Sequence, residues 1–279
     1  MNISTLTLLA LISIAMQACA QTAQVQSQQL SQQPPQQTPQ QPPQQQLSVK
    51  PRATPPECVI LLHGLARSSK AMRKLSEQLQ LNGFLVVNDD YPSSDFPIAI
   101  LAEKAITPAL ASCRQHSSGG IGFVTHSLGG ILVRQYLSQH KIPELKRVVM
   151  LAPPNKGSHV TDNLKNFDLY KWLNGPAGNE LGTDPKSLPN TLGPVGFDLG
   201  VIAGTSSINL LLSLYLPNPD DGKVSVENTK IEGMDDFISL PVSHPFIMKD
   251  QEAIAQTIYF LRHGQFLHTP SATIENKEF

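Results

Sequence analysis

The chain has 279 residues and a formal net charge of -1 at pH 7, with charges of both signs scattered along it. That balance excludes a surface built on clustered Lys and Arg for nucleic-acid phosphates. There is no internal repeat of solenoid period and no second domain-sized segment, and the roughly 229 residues beyond position 50 suffice for one α/β domain with a sizeable core.

The chain opens on an apolar run over residues 3–15 with small residues behind it, too short for a stable membrane span, so residues 1–20 read as an export signal. Cleavage after Ala18-Cys19-Ala20 would release a soluble exported protein. Met16-Gln17-Ala18-Cys19 instead has the layout of a lipobox, in which Cys19 would carry lipid and tether the protein to a membrane, and both outcomes stay open. Residues 21–56 are dominated by Gln and Pro and hold almost no large apolar side chains, so they cannot offset the entropy of ordering. They read as a linker, with Pro34, Pro35, Pro39, Pro42 and Pro43 favouring extended polyproline II stretches.

From residue 57 to 279 strand and helix signals alternate. Cys58-Val59-Ile60-Leu61-Leu62 is a buried-strand pattern that runs straight into His63-Gly64-Leu65-Ala66. Residues 69–81 read as a helix with Met72, Leu75 and Leu79 on one face and Asn82-Gly83 as its stop. Strands are expected at 84–88, 121–125, 147–151, 200–203 and 237–240, and helices at 97–116, with a kink at Pro108, after the 121–125 strand through the helical run 131–137 to about 140, and at 253–261. The alternation predicts an α/β domain, a compact and mostly parallel sheet of about six strands with helices on both faces. Residues 155–197 break the rhythm. This stretch is rich in Gly, Pro and Asn yet carries Val160, Leu164, Phe167, Leu169, Tyr170, Trp172 and Leu173, and it reads as a small cap whose aromatic residues, Trp172 foremost, wall an acyl-binding pocket. The competing reading is a decorated loop with its own satellite core.

The chemistry concentrates at Thr125-His126-Ser127-Leu128-Gly129-Gly130, where an apolar strand meets a helical run. A serine at such a corner stands clear of the strand ends, where a histidine can reach it. Asp221 follows inside Asp220-Asp221-Gly222-Lys223-Val224, and His244 inside Pro241-Val242-Ser243-His244-Pro245-Phe246, giving the order Ser, Asp, His. Asp220 competes with Asp221 for the carboxylate role.

On HGLARSS at 63–69, THSLGG at 125–130, LAPPNKGS at 151–158 and DGKVS from 221 with a later histidine, residues 58–263 resemble the α/β-hydrolases of the bacterial lipase and esterase type. Thr125 departs from the Gly-x-Ser-x-Gly pattern at its first glycine. The resemblance implies Ser127 as nucleophile, His244 as general base and Asp221 as its orienting partner, with the backbone N–H groups of Leu65 and Leu128 as the oxyanion hole. His63 would shape the oxyanion loop and His126 would line the pocket. The expected activity is a serine carboxylic-ester hydrolase acting on a small-molecule or lipid ester. Acyl transfer to an alcohol on the same residues is the alternative, which product analysis with an added acceptor separates. A catalytically inactive binding protein is a third reading, which failure to label with a fluorophosphonate would favour.

Other signals fail on context. Gly120-Ile121-Gly122 precedes a strand instead of following one, so it forms no dinucleotide-binding turn. The 8 histidines show no zinc spacing and Asp220-Asp221-Gly222 lacks the further oxygens of a calcium loop, so no metal or organic cofactor is implied. With Cys19 removed or lipidated, Cys58 and Cys113 remain as a pair in an oxidising setting. In a doubly wound sheet both fall at the edge opposite the serine, and a disulfide between them is expected, against the alternative of two buried thiols.

Overall fold

The computed structural model describes residues 57–268 apart from 118 and 209–212; the signal segment, Cys19 and the whole Gln/Pro linker lie outside the described residues. Six strands form one sheet: β1 (Cys58–Leu62), β2 (Leu85–Val87), β3 (Ile121–His126), β4 (Leu145–Leu151), β5 (Leu199–Gly204) and β6 (Asp236–Leu240). Their order is β2-β1-β3-β4-β5-β6, and every neighbouring pair is parallel. All the C-terminal ends therefore point the same way, and the loops leaving them share one edge, where such sheets hold ligands.

The pleat explains why β1 is an unbroken apolar run. Ile60 and Leu62 face one core while Val59 and Leu61 face the other, and all five residues of the strand are buried. On the first face lie α2 (Ile98–His116) and α3 (Leu128–Gln139), through Leu101, Ile106, Leu110, Ile131 and Leu132. On the second lie α1 (Arg73–Leu81), through Leu75 and Leu79, and the closing helix, through Ile254, Phe260 and Leu261.

The structure differs from the sequence expectations in detail. The first turn of the 69–81 helix is a 3-10 turn, Ser69–Met72, before α1 begins. Pro108 lies inside α2, which continues as one element to His116. Its ring sits on the exposed side, where water can solvate the carbonyl that loses its N–H partner.

The segment between β4 and β5 is more regular than its composition implies. It holds three short helices, α4 (His159–Leu164), α5 (Asp168–Asn179), broken at Gly175, and α6 (Leu188–Thr191). Arg134 on α3 pins this insertion: Nη1 donates to the Asn155 carbonyl at 2.9 Å, and Nη2 to those of Pro189 and Gly193, each at 2.9 Å. Burial pulls the guanidinium pKa down to about 10. After β5 come α7 (Val226–Thr229) and α8 (Gln251–His263), the closing helix just described. α8 is capped by Asp250, whose side chain accepts from Ala253 N at 2.9 Å, and is ended by Gly264 in the left-handed conformation.

Cys58 and Cys113 form a disulfide with Cα atoms 5.7 Å apart, joining the start of β1 to the last turn of α2. The bond lies at the edge of the sheet opposite the loops that follow β1, β3 and β4.

Candidate active site

Ser127 occupies the corner between β3 and α3 with φ 53° and ψ −119°, a left-handed conformation that a side chain adopts only under constraint. Its N–H donates to the Leu151 carbonyl at 2.9 Å, and its own carbonyl accepts from Gly130 N at 3.0 Å. The turn is sharp enough that α3 passes almost against β1. A Cβ placed on Gly129 would lie 2.6 Å from the Leu62 carbonyl oxygen, so no side chain fits there. Thr125, at the first position of the motif, is fully buried within β3 and its hydroxyl has no partner among the described residues. Non-glycine residues with positive φ recur at Ala66, beyond β1, and at Ala152, directly after β4. Backbone strain thus gathers on the loops that follow β1, β3 and β4.

His244 and Asp221 arrive on the loops after β6 and β5. His244 Nε2 lies 3.0 Å from Ser127 Oγ, and His244 Nδ1 lies 2.7 Å from Asp221 Oδ2. With Nδ1–H donating to the carboxylate, Nε2 is the acceptor for the serine hydroxyl. The two loops are also joined through the backbone, His244 N donating to the Asp221 carbonyl at 3.0 Å. Asp221 is buried, and its other oxygen accepts from Lys223 N at 2.9 Å and Val224 N at 2.8 Å. Asp220 faces elsewhere: one oxygen accepts from Gly222 N at 2.7 Å and the other from Ser213 Oγ at 2.5 Å. Between these two carboxylates, the structure places Asp221 against the imidazole.

The histidines beside this chain are held neutral. His126 Nε2 lies 3.0 Å from the His244 carbonyl, which only accepts, so Nε2 carries the proton and fixes the backbone of His244. Burial holds its imidazole well below the usual histidine range, and the charge of His244 adds to this. His126 Nδ1 is buried without a partner among the described residues. It faces Gly64, where an added Cβ would fall 2.7 Å from Nδ1 and 3.3 Å from Ser127 Cβ. The His-Gly run therefore needs its glycine to come up against the serine. His63 stacks on Tyr91 with ring centroids 4.0 Å apart, and its carbonyl accepts from the Tyr91 hydroxyl. Burial lowers the His63 pKa, and Nδ1–H donates to the Gly64 carbonyl at 2.9 Å, a contact that shapes the loop.

A cavity of about 190 Å³ opens over Ser127 and His244. Leu65 and His126 line it, together with Val160, Leu164, Tyr170 and Asn174 from the insertion. Leu128 is the first residue of α3, and its N–H is among those that a helix leaves without an internal acceptor. Trp172 stands on α5 at 78% exposure, and it is Tyr170 and Asn174 of that helix that reach the cavity wall. Two larger clefts, of about 500 Å³ beside α1 and α8 and about 530 Å³ beyond the end of α3, contain neither Ser127 nor His244. The smaller cavity is therefore the candidate site.

Arg67 and Lys223 also line this cavity, and sequence reasoning gave them no role. The available signal was their position, Arg67 in the His-Gly loop and Lys223 two places after Asp221. Chemically, a serine hydroxyl bonded to an imidazole that is itself oriented by a carboxylate is the arrangement that turns a weak nucleophile into an effective one.

No family model matches the sequence, and no curated protein matches it. Solved structures do. The chain is similar to the mature form of the lipase BlEst2 from Bacillus licheniformis, with a TM-score of 0.59 and 22% identity over 75% of this chain and 93% of that one. It is similar to the esterase Pf2001 from Pyrococcus furiosus, with a TM-score of 0.51 and 21% identity over 74% and 82%. It is also similar to the metagenomic carboxyl esterase MGS0156, with a TM-score of 0.54 and 16% identity over 68% and 65%. From the six-stranded parallel sheet and these likenesses, the chain has the α/β-hydrolase fold.

Proposed function

We propose that this protein is a serine hydrolase of carboxylic esters. The observation that carries the reading is the hydrogen-bonded chain from Ser127 Oγ through His244 to Asp221, at 3.0 and 2.7 Å, with Ser127 on a strained turn facing the cavity. In this reading His244 Nε2 takes the proton of Ser127 as Oγ attacks the ester carbonyl carbon. Asp221 keeps the imidazole in the required tautomer and stabilises it once charged. The N–H groups of Leu128 and Leu65 stabilise the oxyanion, the alcohol departs with the proton held by His244, and water cleaves the acyl-enzyme by the same steps in reverse order. The insertion over residues 155–197 acts as the cap, since it supplies much of the cavity wall. Export belongs to this reading, and the Cys58–Cys113 bond supports it, because such bonds persist in oxidising compartments.

The test is hydrolysis of p-nitrophenyl esters from acetate to palmitate by the wild-type protein and by Ser127→Ala. Turnover that disappears in the variant is expected. Wild-type turnover in the variant, or none in either, overturns the reading.

A further inference from the structure

The charged side chains on the wall of the Ser127 cavity are two cations, Arg67 and Lys223, and no carboxylate lines it. Among the described residues neither cation makes an ion pair. The nearest acid in the chemistry, Asp221, is already engaged, with one oxygen on His244 and the other on two backbone N–H groups. The two cations converge from distant parts of the chain, one from the loop after β1 and the other from the loop after β5. They stand beside an apolar wall formed by Leu164, Val160 and Leu181.

We propose that Arg67 and Lys223 form an anion subsite, and that the substrates of this cavity are esters carrying a negatively charged group, carboxylate or phosphate, close to the scissile bond. This rests on the ester-hydrolase reading and narrows its substrate class. Two like charges held together over one cavity repel each other, and an anionic group between them relieves that repulsion while the apolar wall takes a short hydrocarbon chain. The cations already influence one another: both side chains are exposed, and surrounding protein lowers the Lys223 pKa, to which the charge of Arg67 adds while the charge of Asp221 opposes it. The cavity, about 190 Å³, lies below the usual range for drug-sized ligands, which sets the anion near the ester and not at the end of a long chain.

The experiment compares matched ester pairs at low and high salt. On the acyl side, mono-p-nitrophenyl glutarate is set against p-nitrophenyl pentanoate. On the alcohol side, octanoyl glycerol phosphate is set against octanoyl glycerol, so the two arms tell a free anionic acid from a phosphate headgroup. In at least one arm the wild-type kcat/KM favours the charged member by about tenfold, and the ratio falls between about 20 mM and 0.5 M salt. In Arg67→Gln with Lys223→Gln the ratio collapses toward one. A wild-type ratio of one in both arms, or a ratio unchanged in the double variant, overturns the proposal. Ser127→Ala protein supplies an independent readout through its binding of octyl phosphate and octanol. Tighter binding of the phosphate, lost with the two cations, supports the subsite even if no ester is turned over, in which case the hydrolase reading alone fails. Equal binding of the two overturns the subsite.

Discussion

Asp220 and Asp221, adjacent in the chain, point their carboxylates at different partners. Asp221 Oδ2 lies 2.7 Å from His244 Nδ1, whereas Asp220 closes its own loop through Gly222 N and Ser213 Oγ. Asp221→Asn is therefore expected to lower kcat by about three to four orders of magnitude, because an amide at Oδ2 favours the wrong imidazole tautomer. Asp220→Asn keeps an oxygen for Gly222 N and costs far less activity. Steady-state kinetics on both variants check the ranking, and the reverse order would move the role to Asp220.

The neutral state of His126 gives a prediction in pH. Burial, then the charge of His244, lower its pKa, so as pH falls it stays neutral through the region near 6.5 where an ordinary histidine gains its proton. Its Nε2–H bond to the His244 carbonyl survives there. Imidazole nitrogen resonances assigned to His126 should keep the Nε2-protonated neutral pattern as pH falls through about 6.5. A titration midpoint near 6.5 would contradict this.

The disulfide closes a separation of 55 residues, for which the chain-entropy account gives about 4 kcal/mol of stabilisation. Replacing both Cys58 and Cys113 by Ala should lower Tm by about 10 °C in a domain of this size, measured by calorimetry on exported protein. Thiol counting on the denatured, unreduced wild type should find neither cysteine free. Two free thiols beyond any at Cys19 would exclude the bond.

On the insertion between β4 and β5, Tyr170 lines the cavity and its hydroxyl lies 2.9 Å from Thr161 Oγ, while Trp172 is exposed. Tyr170→Ala should shift the preference among acyl chain lengths more than Trp172→Ala does. The comparison uses kcat/KM across an ester series, and the opposite ranking would place Trp172 against the acyl chain.

Much of the fold was legible because its signals are local. All five residues of β1 are buried on two faces, so Cys58-Val59-Ile60-Leu61-Leu62 reads as a strand without knowledge of its partners. The turn at Ser127 is equally local, since Gly129 and the flanking strand are neighbours in sequence. What the sequence did not show depends on convergence. Whether Asp220 or Asp221 turns toward His244 is decided by a loop whose closing partner, Ser213, lies seven residues away from Asp220. Arg67 and Lys223 share a cavity only because parallel strands bring the loops after β1 and β5 to one edge. The helices α4, α5 and α6 escaped because four to twelve residues rich in Gly, Pro and Asn carry little periodicity.

The central claim is that Ser127 is the nucleophile, and the most direct measurement is mass spectrometry of the protein after reaction with a fluorophosphonate. The account predicts a single adduct on the peptide containing Ser127, its appearance paralleled by loss of ester hydrolysis, and no adduct in Ser127→Ala. An adduct on another serine, or hydrolysis that persists after Ser127 is fully labelled, would contradict it.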